Sequence, residues 1–174
     1  SRQDGLVGSA GGHRSVGLLM KPVFILAARR TPISPKNGPL GDVPFFDLAA
    51  CASRAVVQDL AASGDAPVAS AVFAGSALGA GGNPARLMAL ASGLPEGTSA
   101  WTIDTQCCSG LDAIGLAFEC LRGKQTHELV LAGGAESASM APIRLDRQTR
   151  QAYEQAPFTP WPDRDPDMIS AATR

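Results

Sequence analysis

Few side chains in this 174-residue sequence can do covalent chemistry: four cysteines and two histidines. Cys107 stands apart from the other cysteines by its surroundings. Trp101, Thr102 and Ile103 before it have the aromatic and β-branched content of a strand. Leu111, Ile114, Phe118 and Leu121 after it recur at three- and four-residue steps, marking one face of a helix, with Arg122 in the last turn and Gly123 able to stop it. The small residues Cys107, Cys108, Ser109 and Gly110 therefore occupy a strand-to-helix turn. Unpaired N–H groups and the positive end of the helix dipole favour negative charge there, and so favour thiolate, the form of cysteine that attacks carbonyls. The alternative is that Cys107 is buried as a small hydrophobe. Local chemistry leaves both readings open.

Neither histidine suits the role of its base. His13 lies in a Gly- and Ser-rich start, and His127 precedes its strand whereas Cys107 follows its own. In a parallel sheet these are opposite ends, separated by the roughly 17–20 Å of a five- or six-residue strand against a hydrogen-bond reach of about 3 Å.

The elements that would position Cys107 alternate between strand and helix. Residues 1–19 lack a clear period and read as a disordered leader, an expression remnant or translated upstream sequence, with Met20 a plausible natural start. The apolar run Val23 to Ala28 predicts a strand covered on both faces. Arg29 to Pro44 is a Pro- and Gly-rich loop. Asp47 is placed to cap a helix running to about Ala62, with Leu48, Ala52, Ala55, Val56 and Leu60 inward and Cys51 packed on it. Val68 to Ala74 predicts a second strand. Gly75 to Gly82 lacks phosphate-loop spacing and reads as a turn permitting close backbone approach. Asn83 then caps a short helix with Pro84 in its first position. Glu128 to Ala132 predicts another buried strand, closed by Gly133 and Gly134, with Glu136 and Ser137 at its C-terminal end, where open α/β sheets gather their sites. Glu136 can orient a partner or contact substrate; the expectation is that it ties down its own loop. Cys120 should pack. From Arg144 the chain turns polar and then Pro-rich, a surface excursion, and Asp167 opens a further helix. Alternation of this kind implies βαβ units and a mainly parallel sheet, an α/β fold.

Composition narrows the function classes. With 15 Lys and Arg against 16 Asp and Glu, no basic excess points to nucleic acid. No apolar run approaches a membrane span. The cysteines show no paired Cys-x-x-Cys metal spacing, and a disulfide between neighbours Cys107 and Cys108 would be strained, so no metal is expected and a reducing, cytoplasmic compartment fits best.

Four segments, in order, resemble the thiolase family. Asp104-Thr-Gln-Cys-Cys-Ser-Gly-Leu is similar to the nucleophile segment Asn-x-x-Cys-(Gly/Ala)-Ser-Gly, with Asp104 where Asn is usual and Cys108 where Gly or Ala is usual. Val23-Phe-Ile-Leu-Ala-Ala-Arg-Arg-Thr-Pro-Ile resembles the opening strand, Leu131-Ala-Gly-Gly-Ala-Glu-Ser-Ala-Ser the Ala-Gly-Gly-x-Glu-Ser segment, and Gly82-Asn-Pro-Ala-Arg is a fourth match. The resemblance implies the N-terminal half of a layered αβαβα architecture with a mainly parallel mixed sheet. It would place the thiolase-like domain at residues 20–143 and the start of the excursion at 144–174. It further implies that Cys107 is the nucleophile that takes an acyl group from acyl-CoA, its backbone N–H a possible oxyanion donor. Carbon–carbon bond formation or thiolytic cleavage of a 3-ketoacyl-CoA would follow. No cofactor is implied beyond the coenzyme A thioester as substrate, the substrate-binding residues stay unassigned, and a homo-oligomer is the expected state. In the family, the activating histidine and a second acid/base cysteine come from the other half, so this chain alone is expected to be inactive. The stripe Leu111, Ile114, Phe118 and Leu121 is expected to face that half. Two alternatives remain: a ketoacyl synthase-like condensing enzyme, favoured by Asp104-Thr105, and a non-catalytic fragment or assembly subunit.

Overall fold

The computed structural model describes residues 22–62, 64, 68–79, 81–123, 129–153 and 156–173. Helix α1 (Phe45–Ala62) leads into β1 (Ala71–Gly75), α2 (Pro84–Ala91), β2 (Ser99–Ile103), α3 (Ser109–Gly123) and β3 (Val130–Gly134). A two-stranded pair, β4 (Arg144–Leu145) and β5 (Ala152–Tyr153), a 3-10 turn at Pro162–Arg164 and α4 (Met168–Ala172) follow. The three longer strands form one parallel sheet in the order β2-β1-β3, with a helix in each connection between successive strands. Gly75 pairs with both Ile103 and Gly134, so the three strands end level with one another.

The period of two splits the sheet residues between layers. Val72 and Ala74 of β1 face Ala49, Ala85, Met88 and Ala89 of α1 and α2. Ala71 and Phe73 face Ala113 and Ala117 of α3, together with Ile103. Phe73 also stacks on its register neighbour Trp101, ring centroids 4.9 Å apart. Both helix layers present small residues to the sheet. On α1 the buried positions are Ala49, Ala50 and Ser53, which displaces the inward face from the expected Leu48, Ala52, Ala55, Val56 and Leu60. Cys51 is exposed instead of packed. The helix also begins two residues before Asp47, whose N–H donates to the carbonyl of Pro44 at 3.1 Å, so Asp47 lies in the first turn and is not the cap.

The expected opening strand is absent. Val23 to Ala28 has no sheet partner among the described residues, and Phe24 and Ile25 are 73% and 85% exposed. A strand requires a neighbouring edge with which to exchange N–H and C=O hydrogen bonds, and among the described residues neither outer strand of the sheet, β2 or β3, pairs with this segment. The segment is instead anchored by Arg29, whose Nε and Nη2 donate to the two carboxylate oxygens of Asp59 on α1 at 2.6 and 2.8 Å. Those hydrogen bonds hold Asp59 below the usual carboxylate range.

Beyond β3 the excursion is organised by aspartates rather than by a core. Asp146 Oδ1 accepts from the N–H groups of Gln148 and Thr149 and from Thr149 Oγ1, shaping the β4–β5 connection. Asp167 caps α4 by accepting from Ser170 N–H at 2.8 Å. The backbone hydrogen bond from Thr149 depresses Asp146 and that from Ser170 depresses Asp167. Such depression means that each contributes to local order above the unfolded carboxylate pKa and loses that contribution as pH falls through the folded value. The amide-proton shifts of Thr149 and Ser170, followed by NMR, should therefore titrate with midpoints below the ordinary Asp value of about 3.9.

The sheet's tolerance for glycine replacement is sharply uneven. A Cβ on Gly75 would lie 2.3 Å from the Ser109 carbonyl carbon and 2.4 Å from Gly110 N, both backbone atoms. Gly115, in the middle of α3, would meet no heavy atom within 4 Å. Urea unfolding should show Gly75→Ala at or above the top of the roughly 1–3 kcal/mol range of overpacking. Gly115→Ala should gain about 0.5–1 kcal/mol from helix propensity.

Candidate functional site

Level strand ends gather three connections at one edge of the sheet. Ser76 N–H donates to the Ile103 carbonyl at 3.1 Å and Ala135 N–H to the Gly75 carbonyl at 3.1 Å, so the residues following β1, β2 and β3 start side by side. From there β2 runs through Asp104, Thr105, Gln106, Cys107 and Cys108 into α3. The expected strand-to-helix turn is present, and both of its cysteines are exposed. Burial as a small hydrophobe does not describe Cys107.

The turn is held by its own side chains. Asp104 Oδ1 accepts from Gln106 N–H at 3.0 Å, and Gln106 adopts a left-handed φ of 59°. Ser109, buried at the start of α3, accepts from Thr105 N–H at 2.9 Å and donates its hydroxyl to the Gln106 carbonyl at 2.6 Å. Thr105 Oγ1 donates to Asp112 in the first turn of α3. Cys108 N–H and Ser109 N–H donate back to the carbonyls of Thr105 and Gln106, and the Cys108 carbonyl receives Asp112 N–H. Four short-range polar residues thus fix the backbone on both sides of Cys107 while its side chain stays free. The motif alone assigns Asp104 and Ser109 no bracing role. Their Asx-type and cap-like spacings, two and three residues from the groups they bind, were the available signal.

Glu136 ties down a different loop from the one expected. Its carboxylate accepts from Ala77 and Leu78 N–H groups at 2.7 and 3.0 Å and from Ser76 Oγ at 3.2 Å, holding the connection after β1 rather than its own. The same connection is held from the other side by Arg144 Nη2, which donates to the Ala77 carbonyl at 2.9 Å. Ser137, buried beside Glu136, donates to the Val43 carbonyl at 2.8 Å. Asn83 caps α2 as expected and also reaches the sheet: its Nδ2 donates to the Ala100 carbonyl at 3.0 Å and its Oδ1 accepts from Thr102 Oγ1 at 2.7 Å. Thr102, not singled out in the sequence, accepts in turn from Ala85 N–H.

An open cleft of about 440 Å³ lies against these strand ends, lined by Ser76, Gly82, Thr102, Asp104 and Arg144 among others. Cys107 sits beyond Asp104, outside its lining. His13 and His127 fall outside the described residues. Among the described residues no three His, Cys, Asp or Glu side chains are grouped to hold a metal ion, and no helix is long and apolar enough to cross a membrane.

The family model for the thiolase N-terminal domain matches residues 23–158. A probable acetyl-CoA acetyltransferase from Mycolicibacterium smegmatis is 38% identical over 138 residues, which are 78% of this chain and 34% of the relative. An acetyl-CoA acetyltransferase from Escherichia coli is 37% identical over 136 residues, 77% of this chain and 34% of that protein. Among solved structures, the acetyl-CoA acetyltransferase of Bacillus anthracis superposes with a TM-score of 0.63 at 34% identity, over 73% of this chain and 32% of that one. The chain thus spans about a third of the length of the relatives it matches. With four sequence segments, the parallel sheet and the family match in agreement, the chain belongs to the thiolase family, and residues 23–158 correspond to its N-terminal domain.

Proposed function

We propose that this chain supplies the nucleophile of a thiolase-type acyltransferase, with Cys107 forming the acyl-enzyme. The observation that carries the reading is an exposed thiol on a turn braced by Asp104, Thr105 and Ser109, at the edge where three parallel strands end. The names of the relatives, acetyl-CoA acetyltransferases, support an acyl-CoA as the donor. In the forward step the Cys107 sulfur attacks the thioester carbonyl, the carbonyl oxygen takes up negative charge, and coenzyme A thiolate leaves as the carbonyl re-forms. The backbone N–H of Cys107 serves as one oxyanion donor. A second acyl-CoA, deprotonated at its α-carbon, then accepts the acyl group; thiolysis of a 3-ketoacyl-CoA is the reverse. No resident cofactor enters this scheme. The assembled enzyme is a homo-oligomer.

Both stages require a base; we assign it to neither carboxylate of the turn, since Asp112 and Asp104 are engaged by Thr105 and Gln106, and no histidine lies among the described residues. A missing general base costs about 10²–10⁴-fold and each missing oxyanion donor about 10²–10³-fold, so the 174-residue chain by itself should show no measurable turnover. The unfilled face of α3 points the same way. Leu111, Ile114 and Phe118 are 72%, 48% and 42% exposed, while the smaller Ala113 and Ala117 meet the sheet. Full burial of a side chain such as Leu or Phe contributes about 1.5–3 kcal/mol, a stabilisation that these residues realise only in part here.

Two measurements bear on this reading. Acetoacetyl-CoA cleavage, assayed for the chain and for the chain fused to the remaining two-thirds of a relative, should appear only in the fusion and vanish with Cys107→Ala. Turnover by the chain alone would refute the missing-base argument, and an active Cys107→Ala fusion would remove Cys107 from its role. The second measurement is limited iodoacetamide labelling with peptide mapping. Cys51 and Cys108 are exposed as well, so exposure does not separate the thiols, and Cys107 should be labelled first only if its turn activates it. Faster labelling of Cys51 would count against that activation.

A further inference from the structure

The acyl-transfer scheme uses one of two adjacent exposed thiols and leaves Cys108 without a role. The pair sits on a rigid base. Cys108 N–H donates to the Thr105 carbonyl at 3.3 Å, the Cys108 carbonyl receives Asp112 N–H at 3.0 Å, and the Ser109 hydroxyl holds Gln106. No other thiol competes for a partner within reach. Cys120 lies twelve residues further along α3, about 18 Å of helical rise from Cys108. Cys51 is on α1, in the layer on the opposite face of the sheet.

Two thiols on adjacent residues can be joined directly or through a third atom, and geometry discriminates between them. The Cys107–Cys108 peptide is trans, which sets the Cα atoms about 3.8 Å apart, below the roughly 4.4–6.8 Å that a disulfide spans. An interposed atom that takes one bond from each sulfur enlarges the closed ring from eight members to nine and removes the need for a sulfur–sulfur bond. Soft thiolate pairs select soft, thiophilic centres. We propose that Cys107 and Cys108 together form a dithiol site for trivalent arsenicals of the arsonous or aryl arsenoxide class. With an aryl arsenoxide, two S–H bonds and the arsenic–oxygen bond break, and two As–S bonds form. The two protons leave with the oxygen as one water, and no atom is oxidised or reduced. Formation of the adduct needs only the two thiols; its further effect, capping the acyl acceptor, rests on the function proposed above.

The probe is phenylarsine oxide, added to the 174-residue chain in the presence of excess 2-mercaptoethanol, which strips arsenicals held by a single sulfur. Intact mass should show one phenylarsine retained per chain with loss of one water, mapped to the peptide carrying Cys107 and Cys108, and removed by 2,3-dimercaptopropanol. Cys107→Ala and Cys108→Ala should each lose the adduct, while Cys51→Ala and Cys120→Ala keep it. Circular dichroism of the two loss variants should match the parent, which separates loss of the site from loss of the fold. Retention by Cys108→Ala, no adduct on the parent, or an adduct bridging two chains would each overturn the proposal. None of these readouts depends on acyl transfer, so the proposal can fail while the catalytic reading stands.

Discussion

The start of α3 lies almost in backbone contact with the ends of β1 and β3, and the site depends on that approach. Gly75, Gly110 and Gly134 make it possible. A Cβ on Gly75 would fall 2.3 Å from Ser109, and one on Gly134 would fall 3.0 Å from Gly110 Cα. With this contact in place, the first turn of α3 is seated over the sheet edge, and the residues just before it can go only into the short turn that carries Cys107. Larger residues at Gly75 or Gly134 would lift the helix, and with it the buried Ser109 that binds both Thr105 and Gln106.

The same economy of size runs through the layers. Ala113 and Ala117 of α3, and Ala49, Ala50 and Ser53 of α1, are buried at the interior, with Val57 and Cys120 partly buried beside them. Small side chains let helices sit close to the sheet but bury little apolar area each, at about 25 cal/mol per Å². The larger residues of α3, Leu111, Ile114 and Phe118, lie on the other side, and the apolar run Phe24, Ile25 and Leu26 is also exposed. These surfaces accompany a chain that spans about a third of its relatives.

Around the strand ends, polar residues act between connections rather than within them. Glu136 follows β3 but holds the loop after β1; Asn83 caps α2 but also binds β2 through Ala100 and Thr102. Arg144, from the excursion, reaches the Ala77 carbonyl. The Cys107 turn is the exception, since Asp104, Thr105, Ser109 and Asp112 all find their partners within seven residues. That independence lets the local geometry of Cys107 persist at an otherwise open sheet edge.

What the sequence determined was local. The turn around Cys107, the Asn83–Pro84 helix start, the Asp167 cap and the alternation of strands and helices follow from side-chain periodicity and short-range hydrogen bonding, which the order of residues encodes directly. The family segments were legible for the same reason, as they concentrate at such turns. Tertiary structure decided the rest. Which face of α1 turned inward depended on close approach to the sheet, so Ala49, Ala50 and Ser53 prevailed over Leu48 and Leu60. Whether the apolar run Val23 to Ala28 became a strand depended on its docking against an edge strand of the sheet, and among the described residues it pairs with neither β2 nor β3. The loop that Glu136 would hold depended on strand order, which brings Ser76 and Ala77 beside it from 60 residues away. Hydropathy and spacing report what a segment can bury or bond, but the partner is chosen by the packing of distant segments.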